Sequence, residues 1–299
     1  MILSFPPQEF QTLGLQIAGH SPETIQKTSE AANEKRLKDF CCAGPQTMSD
    51  LCVGIQDVSV GEHSIRKPTP ANLICALCFL KKCPAAHDLS SRCNATEKTA
   101  LLGVWKCVRA IQALKRKKIE WIFDGRHNFE EFFIVSVDGV HCRIHEPRTQ
   151  PSSGWHSKKH NQAGLTHEIG VAIQHDETVW MNGPFPAGQN DIKVFRKPGG
   201  LMSKTPENCR AIGDEGHRGE PSKVSTGNDN FNSPELKRFQ SRVRARHETV
   251  NSRLKAFGVL SQEFRCKGAD RMPKHESVFE ACCVIVQCEI DNGSKLFEV

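Results

Sequence analysis

The sequence predicts an α/β domain, a mixed sheet flanked by helices, with a small helical region ahead of it. Three observations predict this. Phe132, Phe133, Ile134, Val135 and Val137 form a β-branched and aromatic run of strand length. Further strand-like runs follow at 165–173 and 178–181, and a fourth at 209–214 comes after a helix start at Asn190-Asp191. Residues 234–258 are the longest helical pattern, with Pro234 in the first turn and Gly258 at the end.

Taken in order, residues 1–66 are polar, punctuated by Pro and Gly and weakly periodic, with a break at Cys41-Cys42-Ala43-Gly44-Pro45. They are expected to be partly disordered, with one short helix near 28–40. Residues 67–118 read as helical. A helix starts after Pro70, carries Leu73, Ile74, Leu77, Phe79 and Leu80, and ends at Cys83-Pro84. A second opens with Thr96 as N-cap and lays Leu101, Leu102, Trp105, Val108, Ile111 and Leu114 along one side. With the basic tail Lys115-Arg116-Lys117-Lys118, this pair reads equally as a helix-turn-helix that docks on DNA or as a plain α-hairpin. Cys75-x-x-Cys78 with Cys83, His87 and Cys93 has zinc-like spacing, but Cys75 and Cys78 lie inside an apolar helical run, where Cys is ordinarily a small buried residue.

Residues 129–299 form the α/β part. Polar loops are expected at 147–163 and 217–233, and an apolar helix at 278–290 packs on the core. In the helix at 234–258, Leu236, Phe239, Val243, His247, Val250, Leu254 and Phe257 make the inward seam. Glu248 stands about 100° around from that seam.

Composition limits the classes. At 299 residues, 38% hydrophobic and 25% charged, the chain has an ordinary globular composition and length enough for a sizeable core. It has no 18-residue apolar run, and its first residues lack a basic signal-like region, so an intracellular protein without a membrane span is expected. The fourteen Cys then read as buried thiols. Tyr is absent altogether. The net charge of +6 is uneven: residues 231–258 hold seven Lys/Arg against two Glu, while residues 1–66 hold five against eight acids. A basic helix suits a polyanionic partner, or is simply a solvated helix face.

The chemistry turns on acids at strand ends. Taken alone, Asp138-Gly139 reads first as a favoured hairpin turn and second as a carboxylate closing an apolar strand. Asp214 closes the fourth strand. If the two strands are neighbours, Asp138 and Asp214 stand side by side and Glu248 reaches in from the long helix. Three carboxylates without a paired cation repel one another and call for a hard divalent ion. Two Mg²⁺ or Mn²⁺ ions about 4 Å apart would clamp the attacking water and the leaving oxygen of a phosphodiester. Lys158 and Lys159 of the polar loop, with Arg244, Arg246 and Lys255 of the basic helix, would hold a nucleic-acid backbone. A dinuclear phosphatase with His141 as a ligand is the alternative. No Gly-x-Ser-x-Gly elbow, Gly-x-Gly-x-x-Gly loop or Walker loop is present, which argues against an α/β-hydrolase-like enzyme of other chemistry.

Several motifs resemble those of one family. They are Val137-Asp138-Gly139-Val140-His141-Cys142, Trp155 to Asn161, Gly164 to Gly170, Val179 to Gly188, and Asn190 to Arg196. After them come Gly213-Asp214-Glu215-Gly216-His217 and Arg244 to Gly258. In this order they resemble DDE-superfamily transposases of the PIF/Harbinger type over roughly residues 120–299. The resemblance implies an RNase H-like domain in which Asp138, Asp214 and Glu248 bind Mg²⁺ or Mn²⁺ for DNA cleavage and strand transfer. It also implies a nuclear protein with DNA as partner, a homo-oligomer, and a separate DNA-binding accessory protein. Asp191 matches another recurrent acid of the family. As a helix cap it is expected outside the ligand set or, alternatively, in place of Asp214. His156, His167 and His217 stand where Tyr is expected, which also suits a catalytically decayed or domesticated DNA-binding descendant.

Overall fold

The computed structural model describes residues 5–56, 68–123, 132–147, 152–227, 233–266 and 268–299. The chain divides into two compact units, residues 1–118 with 254–262 and 277–294, and residues 119–253 with 263–276 and 295–299.

The first unit is helical. It opens with α1 (Pro7–Ile17), α2 (Pro22–Lys27), α3 (Glu30–Cys41) and α4 (Pro45–Gln56). The region expected to be partly disordered with one helix thus holds four helices over its described residues. Phe10, Leu15, Leu37, Met48, Leu51 and Ile55 are buried there, and they are spread too unevenly to show one amphipathic stripe in sequence. Residues 1–4 and 57–67 lie outside the described residues. Ser21 and Ser29 cap α2 and α3 by accepting Thr24 N–H and Ala32 N–H at 3.3 and 3.4 Å. A side chain at Gly14 would collide with Leu37, so glycine sets the α1–α3 approach.

Three helices follow where two were expected: α5 (Pro70–Lys82), α6 (Ala86–Cys93) and α7 (Glu97–Ala113). Thr96 caps α7 as expected, accepting Thr99 N–H at 3.3 Å. Cys75 and Cys78 are buried in α5 beside Leu73, Ile74, Leu77 and Leu80. The basic tail forms α8 (Lys115–Lys118). Lys115 is paired with Glu280, and Lys118 with Asp291 at 2.6 Å, so much of its charge is met inside the unit. The apolar stretch 278–290, expected to pack on the α/β core, belongs to this helical unit instead. Phe279, Ala281, Cys282, Val284 and Ile285 are fully or almost fully buried.

The second unit is built on a sheet of β1 (Phe133–Arg143), β2 (His156–Ser157), β3 (Gln162–Ala172), β4 (Thr178–Pro186), β5 (Arg210–Ile212) and β6 (Val224–Ser225). The order is β2-β3-β1-β5-β6, with β4 also on β3. The β1–β3 and β3–β4 pairs are antiparallel, and β1–β5 and β5–β6 are parallel. This mixed sheet, flanked by helices and preceded by a helical region, is the RNase H-like α/β class that the sequence predicts. Strand β6 falls inside the expected polar loop at 217–233.

One expectation is corrected at the centre. The strand does not stop at Asp138-Gly139. Asp138 pairs with Ile169 and Gly139 with Glu168, and β1 continues to Arg143. A full-length antiparallel partner keeps the chain extended through a dipeptide that would otherwise favour a turn.

Helices α9 (Asp191–Phe195), α10 (Leu201–Lys204) and α11 (Pro234–Lys255) complete the part that frames the sheet; α12 (Gly258–Ser261) and α13 (Arg271–Asp291) follow. Phe195 and Leu201 join Ile134, Val135, Val137, Val179 and Ala211 in one apolar cluster. Val243 of α11 joins Ile173 and Ile212 in another. Polar contacts then set the register of α11. Gln240 donates to Ser225 Oγ at 2.8 Å. His247 Nδ1 meets Ser136 Oγ at 2.8 Å, and Ser136 in turn donates to Val171 O at 3.2 Å, so His247 is the donor. Asn251 Nδ2 donates to Asp138 Oδ2 at 2.8 Å. Arg246 is buried and spends its guanidinium on the carbonyls of Ala172, His175 and Phe297 and on Asp176, at 2.6 to 2.9 Å. No helix among the described residues is long and apolar enough to cross a membrane.

Burial pushes His247 down to about 4, because the imidazolium has no water around it. The unfolded chain, with an ordinary imidazole, binds the extra proton first. The neutral form therefore stabilises the fold above about pH 6.5, and that stability is lost as the pH falls towards 4, by roughly 2 to 3 kcal/mol. Urea midpoints are expected to fall from pH 7.5 to pH 5. The fall should be visibly shallower in His247→Gln, a comparison that separates the imidazole from the carboxylates titrating nearby. An equal slope in the variant would show that His247 does not carry the effect.

Candidate active site

The parallel pairing of β1 and β5 determines the geometry. Ser136 is paired with Ile212, and two residues further along each chain stand Asp138 and Asp214. The expectation that these strands are neighbours holds. Asp138 Oδ1 accepts its neighbour Gly139 N–H at 2.7 Å, and Oδ2 accepts Asn251. Asp214 caps the 3₁₀ turn Glu215–His217, its Oδ1 accepting Gly216 N–H at 3.0 Å and meeting His217 Nδ1 at 2.9 Å.

Asp191, at the first position of α9, comes to the same place. A side chain at Gly139 would stand 3.0 Å from Asp191 Oδ1, and one at Gly216 would collide with Asp191 Oδ2 while standing 3.0 Å from Asp214 Oδ1. The two glycines are the space in which three carboxylates approach. Asp191 was expected beside the ligand set or in exchange for Asp214. The structure brings it together with both Asp138 and Asp214. Asp138 and Asp191 line a cleft of about 440 Å³, walled also by Lys158, Lys159, His141, His160 and Arg218, and by Glu215 and Gly216, which follow Asp214.

The electrostatics follow from crowding and burial. Burial pushes the Asp138 carboxyl up, and Asp214 adds to the rise. Asp191 is raised in the same way, with Asp214 and Asp138 adding to it. Asp214 is held below its usual range by the His217 hydrogen bond. His217 is 1% exposed, which disfavours its charge, but Asp214, Asp191 and Glu168 together raise it above its usual value. Glu168 of β3 is 2% exposed and raised by burial, with Trp180 Nε1 donating to it at 2.9 Å.

The remaining expected residues are scattered. Glu248 is exposed on α11 and makes no hydrogen bond or ion pair with the three aspartates; the side chain that α11 brings to Asp138 is Asn251. Lys158 and Lys159 are exposed at the cleft, and the Lys159 charge acts on Asp191 and Asp214. Arg244 is half-buried against Gly227. Arg246, expected to hold nucleic acid, is occupied inside the fold. Lys255 belongs to the helical unit. His141 stacks on His160 with centroids 4.2 Å apart. Asn251, His217 and Glu168 were not picked out as site residues. Asn251 carried a readable signal: it lies four residues after His247, a polar side chain on the inward face of an amphipathic helix.

The donor set suits a hard cation: carboxylate oxygens only, crowded and without a fully committed counter-cation. The buried Asn251 Oδ1 has no hydrogen-bond partner and adds a neutral oxygen. As the side chains stand, no group of three or more His, Cys, Asp or Glu among the described residues is gathered tightly enough to hold an ion. Asp138 and Asp214 are turned onto Asn251 and His217 instead.

A family model described as DDE superfamily endonuclease matches residues 137–287, just over half of the chain. No curated protein and no solved structure matches the chain.

Because His217 holds Asp214 ionised, His217→Phe is expected to shift the Asp214 titration to higher pH, followed by carboxyl ¹³C NMR. An unchanged Asp214 titration would remove His217 as the cause.

Proposed function

Given that the chain belongs to the DDE superfamily endonucleases, we propose that it cleaves DNA phosphodiesters with Mg²⁺ or Mn²⁺ held by Asp138, Asp191 and Asp214. The observation that carries this reading is the approach of carboxylates from β1, α9 and the turn after β5, with Asp138 and Asp191 lining a cleft that Lys158, Lys159 and Arg218 also line and Asp214 beside Asp191 at Gly216. A structural role for such a cluster would crowd like charges beside the middle of a core strand, which costs stability.

Each residue has a task in this reading. Asp138 is rooted in the central strand and fixes the position of the site. Asp214 stays ionised through His217 and so remains a donor when its neighbours are inclined to hold protons. Asp191 completes the acidic face. Lys158, Lys159 and Arg218 attract the phosphate backbone to the cleft. A bound divalent cation would activate a water and neutralise charge building at phosphorus. The PIF/Harbinger likeness extends the proposal to transposition: strand transfer, work in the nucleus, a homo-oligomer and a separate DNA-binding partner.

Plasmid nicking by the purified chain tests it. Mg²⁺- or Mn²⁺-dependent nicking is expected, falling by about a hundredfold or more in Asp138→Ala and Asp214→Ala. Gly216→Ala should reduce nicking by about tenfold, since the added methyl meets the carboxylates of Asp191 and Asp214. Cation-independent nicking, or nicking that survives both aspartate substitutions, would reject the site. Salt-sensitive DNA binding without cleavage would favour a descendant that binds DNA but has lost its chemistry.

A further inference from the structure

We infer that the stacked imidazoles of His141 and His160 hold the turn bearing Lys158 and Lys159 at the cleft, which makes His160 a positioning residue for DNA. The inference rests on the proposed reading for its DNA; its geometric basis does not. The turn, residues 158–161, closes the β2–β3 hairpin. That hairpin has two ladder pairs, His156 with Ala163 and Ser157 with Gln162. β2 lies at the edge of the sheet, and a two-stranded ribbon so short is marginal by itself. Lys158, Lys159 and His160 are exposed. Two lysines on a loose turn would have to be ordered again each time they met a phosphate, which costs affinity.

The anchor is on the central strand. The rings of His160 and His141 are stacked with centroids 4.2 Å apart and planes 19° from parallel. His141 stands on β1 opposite Thr166, three residues after Asp138. Gly164 makes room for its ring: a side chain there would collide with the imidazole and stand 2.9 Å from Cys142 O. The turn is bent to match. His160 N–H donates to Ser157 Oγ at 3.3 Å, and Asn161 takes the left-handed conformation, φ 50°, that Asn tolerates. The third residue of the turn thus rests on β1, and the two lysines before it are carried to the cleft that Asp138 and Asp191 line. Both ring nitrogens of His141 are buried. His141 therefore serves the stack with its face, and this seating argues against the metal-ligand role that the phosphatase alternative gives it.

Steady-state nicking of plasmid DNA with Mg²⁺ tests the link to DNA. His160→Ala is expected to raise KM roughly three- to tenfold, the range one aromatic pair supports, with kcat within about twofold of the parent. His160→Phe keeps a ring and drops the imidazole nitrogens, and should return KM to within about twofold of the parent. With Lys158→Gln and Lys159→Gln already in place, His160→Ala should move KM by less than about twofold, because the turn has no charge left to place. A KM as poor in His160→Phe as in His160→Ala, or an undiminished effect of His160→Ala without the lysines, would overturn the inference. Limited trypsin digestion of the full chain, without DNA or metal, reads the stack alone. Cleavage after Lys158 and Lys159, followed by mass spectrometry, should be roughly three- to tenfold faster in His160→Ala than in the parent or in His160→Phe. If the parent nicks no DNA, the nuclease reading fails and digestion still judges the stack: equal rates in all three chains would sink it.

Discussion

The docking of α11 on β1 is the constraint from which the site follows. Two residues along a strand advance roughly 6.6–6.8 Å, and four along a helix advance about 6 Å. That near match lets Ser136 and Asp138 face His247 and Asn251 as two consecutive hydrogen bonds. The pairs are buried, so a slip would leave polar groups on both elements without partners, at a cost of about 1 to 3 kcal/mol for each. Arg246, next to His247, fastens the far side of the helix to the carbonyl ends of the β3–β4 region and to the last residues of the chain. The register is therefore set by polar contacts, with apolar packing as its background.

That fixed frame makes the crowding of acids tolerable. Asp138 cannot retreat, because its backbone is held in a ladder to β3 on one side, with β5 following on the other. Asp214 cannot retreat either, because its own turn and His217 hold it. Asp191 is pressed between them by two glycines that have no side chains to interpose. Burial and crowding shift how these groups titrate. Asp138 and Asp191 are pushed up, and Asp214 alone is pulled down. Glu168 behind the site is pushed up as well, by burial. The one compensating group inside is His217, whose own charge is bought back from desolvation by three carboxylates.

The sheet was largely legible because its strands carry dense β-branched runs, and the neighbouring placement of Asp138 and Asp214 followed from strand order. Asp191 was the harder case. From sequence it is only a helix cap, and nothing in its surroundings says that a five-residue helix will deliver it to the acids of two strands. Asn251 was hidden by its chemistry, since an amide beside Glu248 draws less attention than the carboxylate. The helix phase, with His247 and Val250 inward, already pointed to it. Arg246 misled because a basic run was read as one face, whereas α11 alternates between solvent and core within a single turn. Of the helices over residues 7–56 only α3, near the expected 28–40, was read; the others were missed because their buried positions are supplied by several short elements, none with a full stripe of its own. The motif resemblance covered the nuclease part and carried no information about those residues.

The hydrogen bonds inside the site act on its charge in the same direction. Where a phenol is expected from the motifs, His217 supplies an imidazole that the surrounding carboxylates bias towards its charged form. From α11 the neutral amide of Asn251 meets Asp138. Each contact offsets part of the burden that Asp191 adds when it joins Asp138 and Asp214. The cluster closes upon itself, Asp138 on Asn251 and Asp214 on His217. A site of that kind opens to an ion only by exchanging internal hydrogen bonds for coordination.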